Sequence, residues 1–144
     1  MSDENKNEIP SIAKTLFFGQ INENDVLPYP ALTQEQKEFA KEMTQAVDKF
    51  AQDNIDAAKF DRDHEVPDEV MQGLAELGLC GLGVDEELGG LGLDLTLYSR
   101  VFSEVCANDA SIATMLGAHQ SIGYKALVNE GTKEQKEKWL PRLA

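Results

Sequence analysis

Apolar residues along this chain return at helical spacing, and no segment sustains the every-second-residue alternation of a half-buried strand. In "TQEQKEFAKEMTQAVDKFAQDN", residues 33–54, Phe39, Met43, Ala46, Val47 and Phe50 fall on one helical stripe. Thr33 followed by Gln36 is a capping box, in which hydroxyl and amide side chains satisfy orphan N–H groups at the helix start. A second helix is predicted from Pro67, suited to the first helical position, with Asp68 and Glu69 in the positive first turn. Val70, Leu74 and Leu77 make its buried face, and Gly78 stops it. Asp94 is placed to cap "LTLYSRVFSEVCA", whose Leu97, Val101, Phe102, Val105 and Cys106 share one side.

"DASIATMLGAHQSIGYKALVNEG" follows, small and apolar, and predicts a central helix or a broken pair. Thr132 and Gln135 repeat the capping box, and Pro141 ends that last helix. Upstream, residues 1–10 are polar and expected to be disordered. "SIAKTLFFGQ" reads as a helical turn or docking strip, and Pro28 and Pro30 impose an extended approach to residue 33. The pattern predicts an all-α fold, a bundle of five or six helices.

The break in this pattern is "GLCGLGVDEELGGLGLDL", residues 78–95, where glycine is concentrated. A dinucleotide fingerprint starting at Gly81 requires glycine where Glu86 stands, and one starting at Gly90 requires it at Leu95. No Gly-Lys-Ser/Thr occurs, and Glu86 and Glu87 would repel a phosphate. The loop is therefore read as structural, with glycines permitting tight turns and close backbone approach.

Charge narrows the function classes. At 144 residues the chain has the length of one domain, and its net charge of −13 argues against nucleic acid and anionic membrane. No apolar run reaches the length of a transmembrane helix. The acidic start "MSDENKNE" lacks the character of a secretory or transit peptide, so a cytoplasmic location is expected. Cys80 and Cys106 lie in apolar surroundings without redox or metal spacing and are expected to pack as reduced thiols. "DRDHEV", residues 61–66, resembles the start of a calcium loop, but Val66 replaces the turn glycine and Gln72 the bidentate glutamate, leaving a solvated turn. His64 and His119 lack carboxylate partners in the sequence and are assigned surface or capping roles.

One segment stands apart. In "ATMLGAHQSIG", Ala113, Gly117 and Ala118 leave one side of a helix without bulk. Close helix packing explains this, and so does a channel for a long, thin ligand.

"GLCGLGVDEELGGLGLDLTLYSRVFSEV", "LGAHQSIGYKAL" and "GTKEQKEKWLPRLA" together resemble the N-terminal helical domain of acyl-CoA dehydrogenases, a likeness covering roughly residues 30–144. "FFGQINENDVLPYP" and the intact "LGAHQSIG" are similar to the very-long-chain branch. The resemblance implies domains at 1–30 (an N-terminal extension) and 31–144 (the helical domain), with the middle β domain and C-terminal helical bundle absent. It implies an FAD enzyme that introduces a trans double bond between Cα and Cβ of a long-chain fatty acyl-CoA in β-oxidation. No residue here matches the family's catalytic base, so this chain alone is expected to be inactive and not to hold FAD. Ala113, Thr114, Gly117 and Ala118 are expected to line the acyl-chain cavity. Electron-transfer flavoprotein and a homo-oligomeric full-length enzyme are the further partners implied. An acyl-CoA oxidase or flavin monooxygenase of the same fold, and a stand-alone helical interaction module, are the alternatives.

Overall fold

The computed structural model of this protein describes residues 12–28 and 31–144. The expected disorder of residues 1–10 and the contribution of Pro30 lie outside the described residues. The chain divides into two units, residues 1–31 and 32–144. In the first, α1 (Ile12–Phe17) confirms a short helix in "SIAKTLFFGQ", and α2 (Glu23–Val26) adds a single turn capped by the Asn22 side chain. Leu27, before Pro28, is extended, as the proline requires. Phe17 and Phe18 are exposed and meet edge to face.

In the second unit, α3 (Gln34–Asn54) starts at the expected capping box: Gln36 N–H donates to Thr33 Oγ1 at 3.1 Å and Thr33 N–H to Gln36 Oε1 at 3.0 Å. The same Gln36 donates through Nε2 to Asp94 Oδ2 at 2.8 Å, while Asp94 Oδ1 caps Leu97 N–H. One glutamine thus joins the starts of α3 and α6 (Leu95–Asn108), which pack against each other. The most buried residues of α3 are Ala40, Val47 and Ala51. Phe39, Met43, Ala46 and Phe50 are only partly buried, with Met43 and Phe50 packed at the edge of the core.

Between them lies α4 (Ala57–Asp63), capped by Asp56 and ended by His64 in the left-handed conformation at φ 56°. This corrects the reading of residues 61–66 as a turn, since Asp61–Asp63 close a helix that buries Phe60; the capping role given to His64 holds. In α5 (Asp68–Glu76) Pro67 is the cap residue and the helix starts one position later than expected, because the proline's ψ of 144° is not helical. Val70 and Leu74 are buried, and Leu77, at the C-cap, is half-buried. Gly78 then reverses the chain at φ +77°.

The α6 stripe buries Leu97, Val101 and Val105, with Phe102 half-buried. Cys106 is exposed and Cys80 half-buried, which corrects the expectation that both thiols pack inside. After Val105, one residue turns about 100° around a helix, enough to carry Cys106 off the buried stripe. Next come α7 (Ala110–Ala118), a π-helical turn over His119–Tyr124, and α8 (Lys125–Glu130), so the long apolar segment is a helix interrupted in its middle. The second capping box opens α9 (Lys133–Trp139), and a 3-10 turn containing Pro141 closes it.

Among the described residues no strand occurs, so the all-α expectation stands, with short helices α2 and α4 added to it. The main core joins Val47, Leu74, Leu79, Leu82, Val101 and Ile112. A smaller cluster gathers Val84, Tyr124 and Leu140. Burying one such aliphatic side chain contributes about 1.5–3 kcal/mol.

Candidate functional site

The glycine-rich loop is tied to itself. Gly81 N–H donates to Gly78 O, Val84 N–H to Gly81 O, Leu91 N–H to Gly81 O, Gly92 N–H to Val84 O and Leu93 N–H to Leu82 O, all within 3.2 Å. These amides point at the loop's own carbonyls, so the structural reading of its glycines holds. Gly90 has a specific reason to be glycine, since a Cβ there would collide with the Val84 carbonyl and stand 2.6 Å from Gly81 O.

Helix α7 faces this loop's neighbours across the core. Asp109 accepts Ile112 N–H at 2.8 Å and starts the helix, a cap that the sequence signals through "DAS" and that pattern reading passed over. Ile112, Ala113 and Leu116 pack into the core. The four residues expected to line a cavity are divided between two faces. Ala113 sits in the main core, and Gly117 is half-buried with Phe102 opposite. Thr114 and Ala118 are exposed, the Thr114 hydroxyl turned back onto Ala110 O at 2.8 Å. With Met115 and Ile122, also exposed, they form an uncovered face that is apolar and low in bulk near Ala118.

Beyond α7 the π-turn gathers a polar group that sequence reading missed. Gln120 is 2% exposed, and its Nε2 donates to Leu79 O at 3.1 Å. The Tyr124 hydroxyl donates to Gln120 Oε1 at 2.9 Å and accepts Gly83 N–H at 3.4 Å. Burial pushes the Tyr124 phenol above its ordinary pKa, opposed in part by the Gly83 N–H. His119 donates from Nε2 to Leu143 O at 2.6 Å and stands edge to face with Tyr124. A cavity of about 220 Å³ opens over this group, walled by Leu93, Leu95 and Tyr98 and bordered by Ser121 and Lys125. None of Ala113, Thr114, Gly117 and Ala118 lines it. Its one signal in the sequence is the i, i+4 spacing of Gln120 and Tyr124.

Residues 33–144 match the family described as acyl-CoA dehydrogenase, N-terminal domain. The chain belongs to the acyl-CoA dehydrogenase family. Its curated relatives include the mitochondrial very long-chain specific acyl-CoA dehydrogenase of Macaca fascicularis, 47% identical over 96% of this chain and 21% of the relative. The human protein of the same name is 46% identical over the same shares, 96% and 21%. A probable acyl-CoA dehydrogenase of Mycobacterium bovis is 37% identical over 94% of this chain and 21% of its own. The chain therefore spans about a fifth of the length of these acyl-CoA dehydrogenases. Among solved structures, a chain from one described as the electron transferring flavoprotein of Acidaminococcus fermentans superposes with a TM-score of 0.67 at 28% identity, over 79% of this chain and 30% of its own. Among the described residues, no helix is long and apolar enough to cross a membrane.

Proposed function

We propose that this chain is the N-terminal helical part of an FAD-dependent acyl-CoA dehydrogenase that desaturates long-chain fatty acyl-CoA in β-oxidation, and that α7 supplies a wall of its acyl-chain cavity. The observation that carries the second part is the uncovered face of α7, where Thr114 and Ala118 flank Gly117 on a helix whose other side is packed into the core. A long alkyl chain needs a surface of this kind, with small side chains and no charge. Ala113 has the supporting role, letting the helix lie close on the core so that the face stays open.

FAD belongs to the longer enzyme in this reading. The glycine-rich loop does not fit the cofactor's pyrophosphate, because its amides are directed to its own carbonyls or, at Gly83, to the Tyr124 hydroxyl, and Glu86 and Glu87 adjoin them. No flavin step is assigned to residues of this chain. An electron-transferring flavoprotein is the proposed electron acceptor, in line with the family, and the full-length enzyme is proposed to be a homo-oligomer. The cytoplasmic expectation rests on the acidic start of the sequence, whereas the mammalian relatives are named as mitochondrial. The 47% identity to named dehydrogenases favours dehydrogenation over the oxidase, monooxygenase and interaction-module alternatives.

The test is Gly117→Glu in an enzyme carrying this segment, followed as kcat/KM from octanoyl-CoA to stearoyl-CoA. A glutamate at this half-buried position adds bulk and a charge without a partner. Each methylene displaced from apolar contact forfeits about 0.8 kcal/mol, roughly fourfold in kcat/KM. Long substrates should lose activity and short ones keep it. An equal loss at every chain length makes Gly117 a packing residue only and sinks the wall assignment.

A further inference from the structure

The π-turn grips the loop across the core at two points. Gln120 holds the Leu79 carbonyl, and Tyr124, bonded to Gln120, receives the Gly83 N–H. Both side chains are buried, while Ser121, Ile122 and Gly123 between them are exposed. Gln120 is the one polar residue in the buried set of the described residues, and none of the buried polar side-chain atoms among them lacks a partner. A fully satisfied buried polar group of this kind selects one packing geometry over its neighbours, because a shift of one residue strands every member.

The exposed face of α7 is fixed at its N-terminal end by Ile112, Ala113 and Leu116 in the core. Its C-terminal end has no comparable apolar anchor over residues 117–123, where Gln120 is the buried residue. We propose that Gln120 and Tyr124 are a positioning pair that sets the phase of this helix beyond Gly117, and thereby the chain length that the acyl cavity accepts. The inference rests on the reading of α7 as a cavity wall. Neither residue touches the reacting atoms; each acts through the backbone that it holds.

Two variants separate the parts. Tyr124→Phe removes the hydroxyl and keeps the ring, and Gln120→Met removes both amide bonds at nearly constant volume. In this chain, Tyr124→Phe should speed hydrogen exchange at the Gly83 amide by about fivefold, the size of one lost hydrogen bond. In the FAD-loaded enzyme carrying this segment, it should lower the palmitoyl-to-octanoyl ratio of kcat/KM several-fold, whereas a merely structural role would lower Tm and leave that ratio alone. Unchanged exchange at Gly83 overturns the pairing, whatever the activity. Faster exchange with an unchanged ratio overturns the positioning role, and if Gly117→Glu still alters the ratio, the cavity wall itself survives. If Gln120→Met does not fold, Tyr124→Phe alone decides between these outcomes.

Discussion

Gly117 and Phe102 meet where α6 and α7 pack: a methyl group built on Gly117 would lie 3.3 Å from Phe102 Cζ. The contact is tight, but its far side is the tip of a half-buried ring that stacks on Tyr98 and can slide. Alanine also favours the helix over glycine by about 1 kcal/mol. Gly117→Ala should therefore raise stability by roughly 0.5 kcal/mol, the propensity gain less a small repacking cost. Urea unfolding of the two chains measures it. A loss above about 1 kcal/mol would mean that Phe102 is fixed and that packing alone explains the glycine.

Gly90 should behave in the opposite way. Its missing Cβ leaves room for the Val84 and Gly81 carbonyls, which are backbone and have nowhere to go. Gly90→Ala should cost about 3 kcal/mol, at the upper end of overpacking effects. Gly19, at φ +72° with nothing within 4 Å of a built Cβ, is the control. Gly19→Ala should cost only the left-handed penalty of about 1–2 kcal/mol locally and leave the global melt of residues 32–144 unmoved. Equal melting curves for the Gly90→Ala and wild-type chains would remove the steric account of the loop.

The two thiols should separate kinetically. Cys106 is exposed, whereas Cys80 is half-buried and its burial pushes the thiol above its usual pKa, so less thiolate is present near neutrality. A disulfide-exchange reagent at pH 8 should label Cys106 first, with a slow second phase that disappears in Cys80→Ser. If the slow phase disappears in Cys106→Ser instead, the exposure order is wrong.

Alkaline stability should report on Tyr124. Burial raises its pKa in the folded chain above the unfolded value of about 10. The stabilisation is thus fully present below pH 10 and lost as pH climbs through the folded pKa, because the unfolded chain releases the proton first. Tyr98, also raised by burial, adds an effect of the same sign. Between pH 9 and 12 the unfolding free energy should fall less steeply for Tyr124→Phe than for wild type. Parallel slopes would show that the phenol is not held in its neutral form.

Legibility followed the strength of local chemistry. Thr33 with Gln36, Thr132 with Gln135, and Asp94 announced three helix starts because a cap is a matter of residues a few positions apart. Helix α4 escaped because Phe60 is its single large apolar residue, too few to set a period. The α3 stripe is legible at Val47, and at Met43 and Phe50, which pack on the core, while Ala40 and Ala51 escape because a small side chain adds little to an apolar period. The small side chains of α7 were visible, but not their division, which depends on where α6 lies. The pair Gln120 and Tyr124 joins residues 41 positions away at Leu79 and Gly83, and no local pattern encodes that distance.

A π-turn holds one residue more than the α-helical turn it replaces. Between Ala118 and Lys125, therefore, a single codon carries unusual weight. Deleting Ser121 would leave an unbroken α-helix over the same turns, so α8 and α9 would keep their facing. Gln120 and Tyr124 would then stand three positions apart instead of four, and the two could no longer hold Leu79 and Gly83 together. Most one-residue gains and losses in a protein are absorbed by loops; here a helix holds one, and relatives shorter by a residue at this point can keep the remainder of the domain on the same face while losing this pair.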